Sequence, residues 1–174
     1  MREKGPQGPD GRDEMMRKYP LEFKINGKKV CAEVRPNITL LSLLRNLGFT
    51  EVKAGCEKGD CGSCAVLLDG EPINSCLTLA LQAQGREVTT VKGLGTIEDL
   101  SHLQESFVKF GAVQCGFCTP GMVITAQALL DKNPNPTREE IREAISGNLC
   151  RCTGYQKIVD AIEAAAKSKR RSRK

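Results

Sequence analysis

Aromatic residues are scarce in this 174-residue chain: it has no tryptophan, and tyrosine and phenylalanine together make up only 4%. With so few rings there is no stacking platform for single-stranded nucleic acid. No stretch approaches the ~18 to 20 consecutive apolar residues that a membrane helix requires. Residues 1–20 contain neither the apolar core nor the small-residue cleavage site of an export signal, so the expected setting is a reducing cytoplasm. The sequence contains no Gly-rich dinucleotide fingerprint, P-loop or flavin motif. Its acidic and hydroxyl residues form no catalytic constellation. The expectation is a cytoplasmic chain with no membrane span, no nucleic-acid partner and no catalytic residue of its own.

Charge does not alter this. The formal net charge is +5, but Lys167, Lys169, Arg170, Arg171, Arg173 and Lys174 supply six positive charges with no acid between them, and the rest of the chain is close to neutral. A terminal run of this kind reads as a solvated tail.

Cysteine is abundant, with nine residues. Eight of them fall into two sets of four with different spacings. Cys56, Cys61, Cys64 and Cys76 read C-x4-C-x2-C-x11-C, close to the pattern by which plant-type ferredoxins hold a 2Fe-2S cluster. A structural zinc site also takes four cysteines, typically as paired knuckles, and the x4-then-x2 loop favours iron and sulfide. Glycines at 55, 59 and 62 are expected to allow positive φ and turn backbone N–H groups towards the thiolates. Cys115, Cys118, Cys150 and Cys152 read C-x2-C-x31-C-x-C, a spacing that leaves zinc and iron–sulfur both open. Each pair lies between one helix end and the start of the next, so the two turns could face each other. Disulfides are the poorer reading, because Cys150 and Cys152 are too close in sequence to bridge comfortably. The ninth cysteine, Cys31, is read as structural, a small hydrophobe. The single histidine, His102, excludes a Rieske centre, which needs two, and is expected on a helix surface.

Along the chain, residues 1–17 mix glycine, proline and charge and are expected to be a disordered leader. Leu21, Phe23 and Ile25, then Val30, Ala32 and Val34, alternate with polar residues around Asn26-Gly27, which predicts a β-hairpin. Leu40, Leu43, Leu44 and Leu47 predict a helix capped by Thr39 and ended by Gly48. Strands are predicted over 65–68, before an Asp69-Gly70 turn, and over 87–91. Beyond Gly93 the alternation stops and helical spacing begins: 100–110, 122–130, 141–145 and 158–166. Thr137 and Glu140 predict a capping box, and Gly147 a helix end. The expected domains are 18–93, β-rich, and 94–167, all-helical, followed by a basic tail over 168–174.

The segments GCEKGDCGSC with Cys76, QCGFCTPGM and GNLCRCTGY together resemble the iron–sulfur subunit of the molybdenum hydroxylases, the xanthine oxidase family. The resemblance runs from about Leu21 to about Ala166 with all eight family cysteines in order. It implies an α+β chain, a ferredoxin-like β-grasp domain followed by a four-helix bundle, with one 2Fe-2S cluster in each. It also implies a large partner subunit that hydroxylates substrate at a molybdenum–pterin centre, an FAD commonly on a third, medium subunit, and a heterotrimer that can dimerise. Carried over by position, the second set holds the cluster nearer molybdenum, Gln114 bonds the pterin, Cys152 lies beside the pterin as an electron exit, and the first set holds the outer cluster. The alternatives by class are a free-standing ferredoxin-like or regulatory iron–sulfur protein, and a zinc-structured binding module. Arg151, between two ligands, is open to a cluster-tuning role, a contact with the large subunit or simple exposure.

Overall fold

A computed structural model describes residues 17–171; apart from Arg17, the expected leader lies outside the described residues, as does the end of the basic tail. The hairpin forms as its alternation requires. Strands β1 (Tyr19–Ile25) and β2 (Lys28–Val34) pair antiparallel with Phe23 opposite Val30. Asn26 (φ 50°) and Gly27 (φ 78°) both lie in the left-handed region that a two-residue turn of this twist demands. Leu21, Phe23 and Ile25 are buried on one face of β1. Helix α1 (Leu40–Asn46) lays Leu40, Leu41, Leu43 and Leu44 into the same core, and the Thr39 hydroxyl accepts from the Ser42 N–H at 3.2 Å.

Three short strands complete a five-stranded sheet of order β2-β1-β5-β3-β4: β3 (Ala65–Leu68), β4 (Glu71–Asn74) and β5 (Glu87–Thr89). Only the β1–β5 pair is parallel. Sequence periodicity missed β4, whose four residues include Pro72 and occupy the sheet edge, where a missing N–H is tolerated. A 3-10 turn at Ala80–Ala83 was also without a signal. The strand expected over 87–91 stops at Thr89, because Thr90 turns the chain into a single helical turn, α2 (Val91–Leu94).

Four further helices follow: α3 (His102–Lys109), α4 (Thr119–Lys132), α5 (Arg138–Ala144) and α6 (Gln156–Arg171). The Thr137–Glu140 capping box is formed. The helix end expected at Gly147 falls slightly earlier, at the C-cap Ile145, and Gly147 itself does not take positive φ. Helix α6 passes the expected end at 166 and carries helical backbone into the basic run as far as Arg171.

Helix α4 is apolar on nearly every side, the mark of a helix enclosed by its neighbours. Met122, Val123, Ala126 and Leu130 pack on Leu103, Phe107, Ile141, Ile158 and Ile162 of the other helices. Ile124 and Ala128, one turn apart, pack instead on Ala65 and Leu67 of β3. The opposite face of β3, Val66 and Leu68, belongs to the sheet core. Thus β3 is buried on both faces, which explains its unbroken Ala-Val-Leu-Leu run.

The two halves also meet closely at a group of glycines. A Cβ on Gly121, in the first turn of α4, would collide with the Gly62 carbonyl oxygen, and a Cβ on Gly62 would lie 2.5 Å from the Gly147 carbonyl. Replacing Gly121 by alanine should therefore destabilise the chain by about 1–3 kcal/mol, the usual penalty of overpacking. Gly147→Ala, with nothing within 4 Å of the added carbon, should stay within about 0.5 kcal/mol; urea unfolding of both variants checks the pair.

Candidate metal centres

The first cysteine loop leaves α1 through Val52 and wraps back into β3. Gly59 (φ 87°) and Gly62 (φ 67°) take positive φ as expected, but Gly55 does not; the third left-handed residue is Glu57 (φ 55°). Gly55 is required for space, since a Cβ there would come within 2.8 Å of the Cys61 Sγ. The turn at Glu57 brings the Lys58 N–H onto the Cys56 sulfur at 3.4 Å. That hydrogen bond, followed by those from Cys61 and Asp60, lowers the Cys56 pKa to about 7. Cys76 moves the other way, raised to about 11 by burial and by the neighbouring Cys64 thiol. These interactions bring Cys56 beside Cys61, and Cys76 within electrostatic reach of Cys64 and Cys56. Asn74 donates to the Gly59 carbonyl at 3.1 Å, and the Ser75 hydroxyl donates to the Cys64 carbonyl at 2.7 Å.

The second set also converges. Cys118 stands at the N-cap of α4, and Cys115 lies in the turn before it. Cys150 and Cys152 come from the turn between α5 and α6. The Cys152 and Cys115 sulfurs are 3.5 Å apart, and the four thiols border one open cavity of about 560 Å³ that reaches Gly55 and Cys61. Among the described residues no three metal-ligating side chains close on the position of a single ion.

Electrostatics divides this set. Burial raises the Cys118 thiol to about 12, helped by Cys150. The Phe117 N–H, then the Cys152 thiol, lower Cys115. Burial tends to raise Cys150, but hydrogen bonds from the Thr153 side chain and from the Thr153 and Cys152 N–H groups outweigh it and the net shift is downward. Cys115 and Cys152 are exposed. Gln114, immediately before Cys115, is exposed too.

The two sets are joined through the backbone. The Leu149 N–H donates to the Cys61 carbonyl at 2.9 Å, and the buried Asn148 side chain donates to the Gly62 carbonyl at 3.0 Å. Asn148 and Leu149 lie within the GNLCRCTGY segment, but the sequence alone assigns neither a contact role, because their hydrogen bonds depend on a loop 86 and 88 positions away.

Comparison with known proteins accords with two such centres. Residues 23–91 match the family of 2Fe-2S iron-sulfur cluster binding domains, and residues 90–163 match the 2Fe-2S binding domain that forms a second family. The chain is 50% identical over 151 residues to the nicotinate dehydrogenase small FeS subunit of Eubacterium barkeri, covering 86% of this chain and 96% of that one. The chain belongs to the iron–sulfur subunits of the molybdenum hydroxylase family. Members of that family serve oxidoreductases as electron-transfer subunits. This iron–sulfur subunit is also 47% identical over 151 residues to the xanthine dehydrogenase iron-sulfur-binding subunit of Escherichia coli O157:H7, covering 86% and 95%. Its backbone superposes on quinoline 2-oxidoreductase from Pseudomonas putida 86 with a TM-score of 0.84, 51% identity and coverage of 88% and 97%.

Other residues fall outside the two centres. Cys31 is exposed on β2 opposite Glu22 rather than packed as a small hydrophobe. His102 is exposed at the start of α3, 3.6 Å from Glu105. Arg151 is exposed and lines the cavity beside the second cysteine set. No helix of the described residues is long and apolar enough to cross a membrane.

The thiols of the cluster-free subunit should differ in reactivity by their protonation. A lowered pKa means more thiolate at a given pH, so alkylation of Cys56 should rise through about pH 7, whereas Cys118, at about 12, should stay protected under the same conditions. Iodoacetamide labelling across pH 6 to 9, read by peptide mass spectrometry, checks the order.

Proposed function

We propose that Cys56, Cys61, Cys64 and Cys76 hold one 2Fe-2S cluster and that Cys115, Cys118, Cys150 and Cys152 hold the second. In this reading residues 18–93 form a β-grasp domain and 94–167 a four-helix bundle. The donor chemistry fits the group: each set offers four thiols with no carboxylate or imidazole among them. The N–H groups of Lys58 and Phe117, directed at Cys56 and Cys115, offset the negative charge that four thiolates gather. When bound, each cluster supplies a one-electron carrier.

The observation that carries the reading is the hydrogen bond between the sets. Leu149 precedes Cys150, and its N–H meets the carbonyl of Cys61 at 2.9 Å. One ligand candidate from each set is therefore separated by one peptide unit and one hydrogen bond. A structural zinc module has no need of such a link between its two sites.

Exposure orders the sets. Cys64 and Cys76 are buried, whereas Cys115 and Cys152 reach the surface on the same cavity as exposed Phe117 and Leu149. An apolar rim around exposed thiols suits burial against a large partner. We place the molybdenum–pterin cofactor of a large subunit at that rim, with Gln114 and Cys152 in contact with the pterin, and FAD on a third, medium subunit of a cytoplasmic heterotrimer.

Purification of the native complex should yield a brown protein carrying molybdenum, flavin, iron and acid-labile sulfide. A chain that purifies alone would support a free carrier, and a colourless zinc protein would overturn the ligand assignment. Cys76→Ser and Cys118→Ser should each remove about half the iron and a different electron paramagnetic resonance signal. Cys31→Ser should leave both signals.

A further inference from the structure

The turn that follows Cys150 contains a hydrogen-bonded circuit that ligand assignment alone does not account for. Gly154 (φ 63°) and Tyr155 (φ 67°) are consecutive left-handed residues. For a bulky tyrosine this conformation is an outlier that persists only where the surroundings over-determine it. Here the phenol oxygen reaches back and accepts the Cys150 N–H at 2.9 Å. The Tyr155 N–H donates to the Thr153 hydroxyl oxygen at 3.2 Å, and that oxygen lies 3.1 Å from the Cys150 sulfur.

The direction of the last contact follows from the other two. A backbone N–H can only donate, so the Thr153 oxygen accepts from Tyr155 and keeps its own proton for another partner. A ligating thiolate has no proton and can only accept. The Thr153 hydroxyl is therefore the donor to Cys150 whenever that sulfur is a ligand.

We propose that Thr153 is a potential-tuning residue of the second cluster, donating its hydroxyl proton to the Cys150 thiolate, and that Tyr155 is the positioning residue that holds it there. This rests on the assignment of Cys150 as a cluster ligand. Reduction adds negative charge to the cluster and its sulfurs, so a proton donor at sulfur stabilises the reduced form more than the oxidised form and raises the potential. The first set has no counterpart among the described residues. Its sulfurs are met by the Lys58 N–H at Cys56 and, at 4.0 Å from Cys64, by the Asn74 side-chain oxygen, which cannot donate, and the nearby Ser75 hydroxyl is spent on the Cys64 carbonyl. The two centres are thus made unequal by the side chain of one residue.

The test is a redox titration of the assembled complex followed by electron paramagnetic resonance, with both clusters read in the same sample. Thr153→Val keeps the volume and removes the hydroxyl. It should shift the second cluster's oxidised-to-reduced ratio about tenfold towards oxidised at a given potential, ~59 mV lower for a one-electron couple, while the first cluster stays unmoved. Thr153→Ser should restore the wild-type potential. Tyr155→Phe should shift the second cluster in the same direction as Thr153→Val, by less, and it tests the circuit even if the valine variant does not assemble. Two normal signals with an unmoved second potential in Thr153→Val, or failure of serine to restore it, would overturn this proposal and leave the ligand assignment standing. A wild-type protein lacking the second signal would overturn the ligand assignment and this proposal with it.

Discussion

The contact of Gly62 with Gly121 and Gly147 is the constraint on which the arrangement of both centres depends. Two loops, each crowded with thiols, can approach only if no side chain stands between their backbones, and at Gly121 even one carbon would strike a carbonyl. Their closeness is then used twice: Asn148 donates to the Gly62 carbonyl and Leu149 to the Cys61 carbonyl. Beneath this point Ile124 and Ala128 of α4 pack on Ala65 and Leu67 of β3. The apolar contact supplies the area, and the glycine contact sets the distance between the cysteine sets.

Within that frame burial and hydrogen bonding pull Cys56, Cys76, Cys115, Cys118 and Cys150 in different directions. The Cys118 pKa rises, because burial removes water that a half-buried thiolate needs and neighbouring thiols add to the penalty. Cys56 and Cys115, near the surface and met by backbone N–H groups, fall instead. Each set therefore pairs easily ionised thiols with reluctant ones, and iron would offset the burial cost at the latter. The exposed members of the second set, Cys115 and Cys152, open on the same cavity as Phe117 and Leu149.

Much of the fold was legible because local chemistry decided it. The Asn26-Gly27 turn, the Thr39 cap and the Thr137–Glu140 box are short-range devices, and each appears where its residues stand. Elements without a local signature escaped: β4, formed only by pairing with β3; the helical turn at Val91; and the extension of α6 to Arg171. Two glycines do not act as their place in the sequence suggests. Gly55 makes room for the Cys61 sulfur, and Gly147 caps nothing. The residues that join and trim the centres, Asn148, Thr153 and Tyr155, are common types whose role depends on what folding brings beside them.

By itself the sequence determined the inventory: eight cysteines in two spacings, a β-rich half before a helical half, and motifs specific enough to identify the family. It could do so because thiol count, turn residues and hydrophobic period act over a few residues. The tertiary structure alone decided how the halves meet, which thiols face solvent, and that Cys61 and Leu149 share a hydrogen bond across 88 positions of chain. Those are contacts between backbones and buried surfaces distant in sequence, and their geometry exists only once α4 has packed against β3.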